Sequence, residues 1–405
     1  MGAPGPGRTR SSARVASGAV SVAGAVSLVV SGCSSGDDGR VSWGDHGQVV
    51  DIGDGTDVAS SFILTGVGEA TQVAKLTGPE AINDTEPVAV AGTDLGSMFD
   101  AGGRTYVVFG DTFGVRAPDS YGGQGSNWRS NVMAYTTDTD PSDGISFDGW
   151  ITDEYGLAAE IVPGLHEPNG AGEVTKIPTH GFAVDDAMYL NYMSVHHWGD
   201  PGVWDANYAG LARSTDDGET WDVLDEPQWP GESNFIQVSA AHVREGGEEF
   251  VYFWSIPAGR FGGAQLMKVP ANRDAVEDLD AYRYFAGTNG DGTPIWVDDL
   301  EQAVTIVDDT VGELSVMYNE QLDRWLMTYS TDGNAVIREG LSPWGPWSEA
   351  FVMTTQAENP GLYSPYLHPK YVSDDGRTIY FMLSLWGPYN VFWFTADLDV
   401  AETRH

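Results

Sequence analysis

Two aspartates bracket the stretch AGTDLGSMFDAGGRTYVVFGDTFG, residues 91–114. The apolar alternation on both sides of Ala101-Gly102-Gly103 predicts a β-hairpin turning at those residues. Residues facing each other across an antiparallel hairpin lie equally far from its turn. Asp94 and Asp111 therefore fall within one register step of direct opposition, at the open end of the hairpin. Cβ atoms at such positions lie roughly 4.5–5.5 Å apart. A lone Asp in a glycine-rich chain commonly caps a turn or a strand entry, but these two sit away from the turn and across from each other. Two opposed carboxyls can divide acid–base work. One donates a proton to a departing oxygen; the other attacks carbon or activates water. That division suits cleavage of a glycosidic bond. A carboxyl separation of about 5–5.5 Å goes with retention and about 6.5–9.5 Å with inversion. The sequence leaves this choice open, along with the individual roles of the two acids.

The same register argument, applied to later hairpins, brings more polar groups to the same end. Glu173 falls opposite His197, beside His196 and Trp198. Gln237 falls near Ile256, shortly before Arg260. Glu313 falls opposite Ser330, and Tyr363 and Tyr366 approach Ser384 and Trp386. Acids, an imidazole, a guanidinium and flat rings together suit sugar binding, because rings stack on the apolar faces of sugars. Glu173 and Glu313 could equally pair with arginines such as Arg129, Arg213 or Arg338. Adjacent His196 and His197 point to opposite faces of a strand, so at most one faces a shared cavity. Glu173, His197, Gln237, Arg260, Glu313, Tyr363 and Trp386 are the expected substrate contacts. The propeller region has no GxSxG elbow, and the chain has no HExxH or P-loop sequence, which disfavours serine hydrolases, zinc proteases and nucleotide enzymes. No metal ligand set or cofactor is expected; TDTDPSDG (137–144) lacks the EF-hand pattern and reads as a solvated turn.

The elements that must carry these residues repeat along the chain. DAGGRTYVVFGDTFG, VDDAMYLNYMSVHHWG, REGGEEFVYFWSIPAGRFG, EQLDRWLMTYSTDG and SDDGRTIYFMLSLWGPYN are five turn-then-strand units, each with a strand before and after it. Weaker fourth strands follow in ISFDGW, WDVLD, YRYFAG and WSEAFVM. The fifth unit lacks one, and SFILTGVGEATQVAKL could supply it from the N-terminal side. Five copies of one hairpin at 55–85-residue spacing point to an all-β fold, a five-bladed β-propeller, rather than a sandwich. STDDGETW (214–221) has the form of an Asp-box, a turn that supports the fold and not the chemistry.

The chain has 405 residues, with 59 Asp and Glu against 20 Lys and Arg, a formal net charge of −39. Such a surface repels phosphate backbones, so a nucleic-acid partner is not expected. Residues 1–32 read as a secretory signal, basic and then apolar, ending in Val30-Ser31-Gly32. Cys33 is the single cysteine, which rules out internal disulfides. It stands where a lipobox places its lipidated residue, so a membrane lipid anchor and an extracytoplasmic location are expected. Residues 33–60 read as a flexible tether, and 61–405 as the propeller, taken to act as a monomer.

GTDLG with FGDTFG, then WRSNVMA, GEVTKIPT, RFGG, GELSVMYN, GPWSE and SLWGPYNVFWFTADL, resemble an actinobacterial family of endo-D-arabinanases, long catalogued only as a domain of unknown function. The likeness spans about residues 65–400. It implies a five-bladed propeller that hydrolyses α-D-arabinofuranosyl chains of arabinogalactan or lipoarabinomannan. It also implies that the acids of the first two motifs, here Asp94 and Asp111, are catalytic.

Overall fold

The structure, a computed structural model, describes residues 46–55 and 61–401. The signal segment and Cys33 lie outside the described residues. Five antiparallel sheets follow one another along the chain. Their innermost strands are Leu95–Ala101, Thr175–Val184, Gln237–Glu245, Gly312–Asn319 and Leu362–Val372. Each packs on the next, and the fifth returns to the first. That closed ring makes the molecule a five-bladed propeller, with the bladed repeats in the order the sequence sets out.

Paired glycines make the predicted turns. Gly102 and Gly103 both have positive φ, as do Gly246 and Gly247, which is the backbone that two-residue hairpin loops require. The expected fourth strands are present at Gly149–Trp150, Asp222–Pro230, Arg283–Thr288 and Phe351–Thr355. The third blade adds Pro294–Val297 outside its fourth strand. The fifth blade takes its outer strands from the front of the chain: Leu64–Val67 and Thr71–Lys75 both pair with Asn390–Val400. This closure is gripped by the fourth blade. The fully buried carboxylate of Glu339 accepts the backbone N–H groups of Ile63 and Leu64 at 2.9 and 2.6 Å and the Arg324 Nε at 2.6 Å. Between blades the core is aromatic. Trp229, Trp254, Trp325 and Trp393 are fully buried, and Trp254 meets Trp325 across adjacent blades at 5.1 Å.

One expectation needs correction. Residues 46–55, read as tether, are seated on the propeller. Val49–Asp51 pairs in parallel with His242–Arg244 on the innermost strand of the third blade, and the His46 ring stacks on His242 at 4.1 Å. A Gly- and Asp-rich composition does not reveal an open strand edge elsewhere in the fold that the segment can complete.

Candidate active site

The backbone around the two aspartates departs from a regular ladder in two places. Ser97–Ala101 pairs with Arg104–Val108 in the predicted register; then Leu95 pairs with Phe109, leaving Gly96 as an extra residue. The Gly110 N–H donates to the Asp94 carbonyl at 3.2 Å. Beyond it the original register resumes at Gly92 and Phe113, where the Thr93 and Thr112 hydroxyls share a 2.6 Å hydrogen bond. Asp111 is thus the extra residue on the second strand. Bulges leave one residue unpaired and re-aim its side chain. Here two of them turn both acids toward one cavity. The arrangement holds Leu95 at φ 66, a costly conformation for a branched side chain. The fifth blade stabilises it: Ser384 Oγ accepts the Leu95 N–H at 2.9 Å.

Asp94 and Asp111 lie on the wall of a cavity of about 1150 Å³, with contributions from all five blades. Asp94 Oδ2 accepts the Tyr363 hydroxyl at 2.9 Å. Its Oδ1 is enclosed without a hydrogen-bond partner, against Gly110, where a β-carbon would come within 2.5 Å. Asp111 Oδ1 accepts two hydrogen bonds, from Trp128 Nε1 and Thr175 Oγ1, each at 2.7 Å. Both residues are partly buried in the cavity wall. Burial pushes the Asp94 carboxyl up to about 8, and the charge of Asp111 adds to the rise, against the Tyr363 hydrogen bond. Burial also raises Asp111, to about 6, but the Thr175 and Trp128 hydrogen bonds restrain it. Near neutral pH one carboxyl is therefore protonated and its neighbour ionised. Environments that push two carboxyls apart in this way separate a proton donor from a nucleophile or base.

The other expected contacts divide. Gln237, Arg260, Glu313, Tyr363 and Trp386 line the cavity. Arg260 is committed to Glu313 through a two-point ion pair at 2.7 and 3.0 Å and lies over the Trp204 ring. Gln237 holds the backbone leading to Arg260, its Nε2 donating to the Pro257 carbonyl at 3.0 Å. Glu173 and His197 are not among the lining residues. The buried Glu173 carboxylate accepts Lys176 Nζ at 2.6 Å, the Leu165 N–H at 3.0 Å and Ser194 Oγ at 2.7 Å, so it is a structural ion pair behind the wall. His197 faces Asp205, 3.6 Å away. Its neighbour Trp198 lines the cavity instead, as alternation along a strand requires.

Trp128, Thr175, Tyr389 and Tyr121 went unrecognised in the sequence. Trp128 sits on an inserted hairpin of the first blade, Thr112–Val115 with Ser126–Arg129, and its indole meets the His166 ring edge-on at 4.1 Å. The motif WRSNVMA holds Trp128 but gives no hint of its partner. On the opposite end of the inner hairpins, His46, His242 and Glu249 bring three possible metal ligands within 4.8 Å of one another. In TDTDPSDG the Asp138 and Asp140 carboxylates accept backbone N–H groups at 2.9–3.0 Å.

Residues 80–395 match the model of a domain of unknown function, DUF4185. The chain belongs to this family. A relative of the DUF4185 chain, the notoamide biosynthesis cluster protein J' of Aspergillus versicolor, is 29% identical over 328 residues, 78% of this chain and 84% of that protein. Among solved structures the DUF4185 chain is similar to the GH43_1 enzyme of Xanthomonas citri (TM-score 0.45, 12% identity, 82% of this chain and 90% of that one). It is also similar to a β-xylosidase/α-arabinofuranosidase from a compost metagenome (0.44, 12% identity, 80% and 94%).

Proposed function

We propose that this DUF4185 protein is a glycoside hydrolase that cuts internal α-D-arabinofuranosyl linkages of cell-envelope arabinan. The observation that carries the reading is the carboxyl pair. Asp94, protonated near neutral pH, and Asp111, ionised, share one wall of a cavity with aromatic sides. In the reaction Asp94 gives its proton to the glycosidic oxygen as the bond to the anomeric carbon breaks. Asp111 either attacks that carbon or takes a proton from the water that does; water is consumed in both cases. Tyr363 fixes the orientation of Asp94, while Trp128 and Thr175 fix that of Asp111.

Internal cleavage needs room on both sides of the bond being cut. The first blade lies between the second and the fifth. The second presents Trp198 and Trp204 to the cavity, and the fifth presents Trp386 and Tyr389. A site for an anionic sugar such as sialic acid would gather free arginines. Arg260 is the one arginine lining this cavity among the described residues, and it is already paired with Glu313. The choice of D-arabinan comes from the motif likeness, and Cys33 would tether the enzyme to the membrane beside that polymer.

The test is product analysis after incubating purified protein with mycobacterial-type arabinogalactan. Arabino-oligosaccharides are expected from the wild type, and a loss of at least about 10²-fold in kcat from Asp94→Asn and Asp111→Asn. Full activity in either variant would refute the assignment. Labelling with a radioactive fatty acid, lost in Cys33→Ala, tests the anchor.

A further inference from the structure

The inserted hairpin of the first blade does more than supply Trp128. Its tip carries Tyr121, 69% exposed, beside Trp386 of the fifth blade, 45% exposed. Both line the cavity. Large rings left this open in a folded domain call for an explanation, and these are packed against the facing loop. The Trp386 ring lies on Gly122, so close that a β-carbon there would come within 2.7 Å of the indole. A β-carbon on Gly387 would come within 3.2 Å of the Tyr121 ring. The Gly122 N–H donates to the Gly387 carbonyl at 3.2 Å. Arg116 straps the two loops together, donating to the carbonyls of Gly122 at 2.7 Å, Gln124 at 3.1 Å and, from the other blade, Pro388. Three donors of one guanidinium fixed on backbone carbonyls make this a built surface, and both rings on it line the cavity.

The rings also continue inward. Trp386 lies 6.5 Å from Tyr363, ring to ring, and Tyr363 bonds the Asp94 carboxyl. A line of aromatic surface therefore leads from the acid to the rim.

We propose that Trp386 and Tyr121 form a sugar-binding platform distal to the cleavage point, which stacks on a ring of a long glycan chain and gives the enzyme its preference for polymer over short oligosaccharides. This rests on the hydrolase reading above. Sugar rings suit the platform because their C–H faces are apolar and their edges polar, matching stacked aromatics at a wet rim. The platform binds sugar without touching the reacting atoms, so its variants alter chain-length preference.

Two measurements test it. In the Asp111→Asn background, binding of arabinogalactan is followed by tryptophan fluorescence and compared among the parent, Trp386→Ala, Tyr121→Ala and Arg116→Ala. A roughly tenfold weakening is expected for Trp386→Ala, equivalent to about 1.4 kcal/mol, with smaller losses for the other two and recovery in Trp386→Phe. In otherwise wild-type enzyme, the ratio of kcat/KM on polymer to kcat/KM on a short arabino-oligosaccharide should fall by a similar factor in Trp386→Ala. An unchanged ratio, or unchanged polymer binding, would overturn the platform. If the wild type cleaves no arabinan, the substrate assignment fails by itself. Binding to a panel of other polysaccharides then decides the platform, which stands if Trp386→Ala loses the glycan that the parent retains and falls if the parent binds none.

Discussion

Asp94 and Asp111 have the same side chain and differ only in what surrounds it. Asp94 has the Tyr363 hydroxyl on one oxygen, the Tyr389 hydroxyl nearby and an enclosed second oxygen; Asp111 has two donors on one oxygen. In the proposed mechanism Asp94 acts protonated and Asp111 ionised, so kcat/KM should follow a bell-shaped pH profile. Activity falls as Asp111 gains its proton below about 6 and as Asp94 loses its own above about 8. Trp128→Phe removes a hydrogen bond that holds the Asp111 value down. Its acidic limb should therefore shift to higher pH while the alkaline limb stays in place, which a pH–rate series would measure. Linkage gives the sign for stability. A carboxyl whose folded value lies above its unfolded one favours the folded state at low pH, and that contribution is lost as pH rises toward the folded value. The Asp94→Asn protein should accordingly gain stability over the wild type as pH rises from the ordinary carboxylate range toward about 8, and then level off. Urea titrations across pH would show it.

At the scale of the element, the bulges do the positioning. Gly96 and Asp111 are extra residues on facing strands, and between them the ladder slips by one residue, then recovers. Gly110 sits at the slip, where any β-carbon would meet Asp94 Oδ1 at 2.5 Å and Leu95 Cδ1 at 3.0 Å. Gly110→Ala should therefore displace Asp94 by a fraction of an ångström to an ångström. Activity should drop by about 10²-fold, as misplacement on that scale commonly costs, while the thermal midpoint moves by only a few degrees. Circular dichroism melts beside kcat/KM measurements would separate the two effects. Ser384, reaching from the fifth blade to the strained Leu95 backbone, ties this local geometry to ring closure.

For the whole molecule, closure depends on the front of the chain completing the last blade. Glu339 is the buried clasp, holding Ile63, Leu64 and Arg324 together. Glu339→Ala leaves a buried guanidinium and two backbone donors without their acceptor, and should destabilise the protein by about 3–5 kcal/mol, measured by urea unfolding. The clasp lies in the fourth blade, so residual folded enzyme should keep its kcat. The same closure brings the fifth blade against the first, placing Tyr363 on Asp94 and Trp386 beside Tyr121, residues far apart in sequence.

The sequence by itself determined the repeat. Turn glycines, apolar alternation and the spacing of five hairpins define the blades, including the borrowed outer strand at residues 61–76, because these signals are local and each hairpin reads the same way. It also brought Asp94 and Asp111 within one step of each other, because distance from a turn is preserved along a ladder. Tertiary structure decided which acids face the cavity and in what protonation state. Side chains alternate with a period of two, so one bulge reverses a face. The reach of Glu313 for Arg260 and of Trp128 for Asp111 depends on loops whose path no periodicity encodes. The displaced carboxyl values come from burial and from groups on other blades, which are brought close only when the ring is shut.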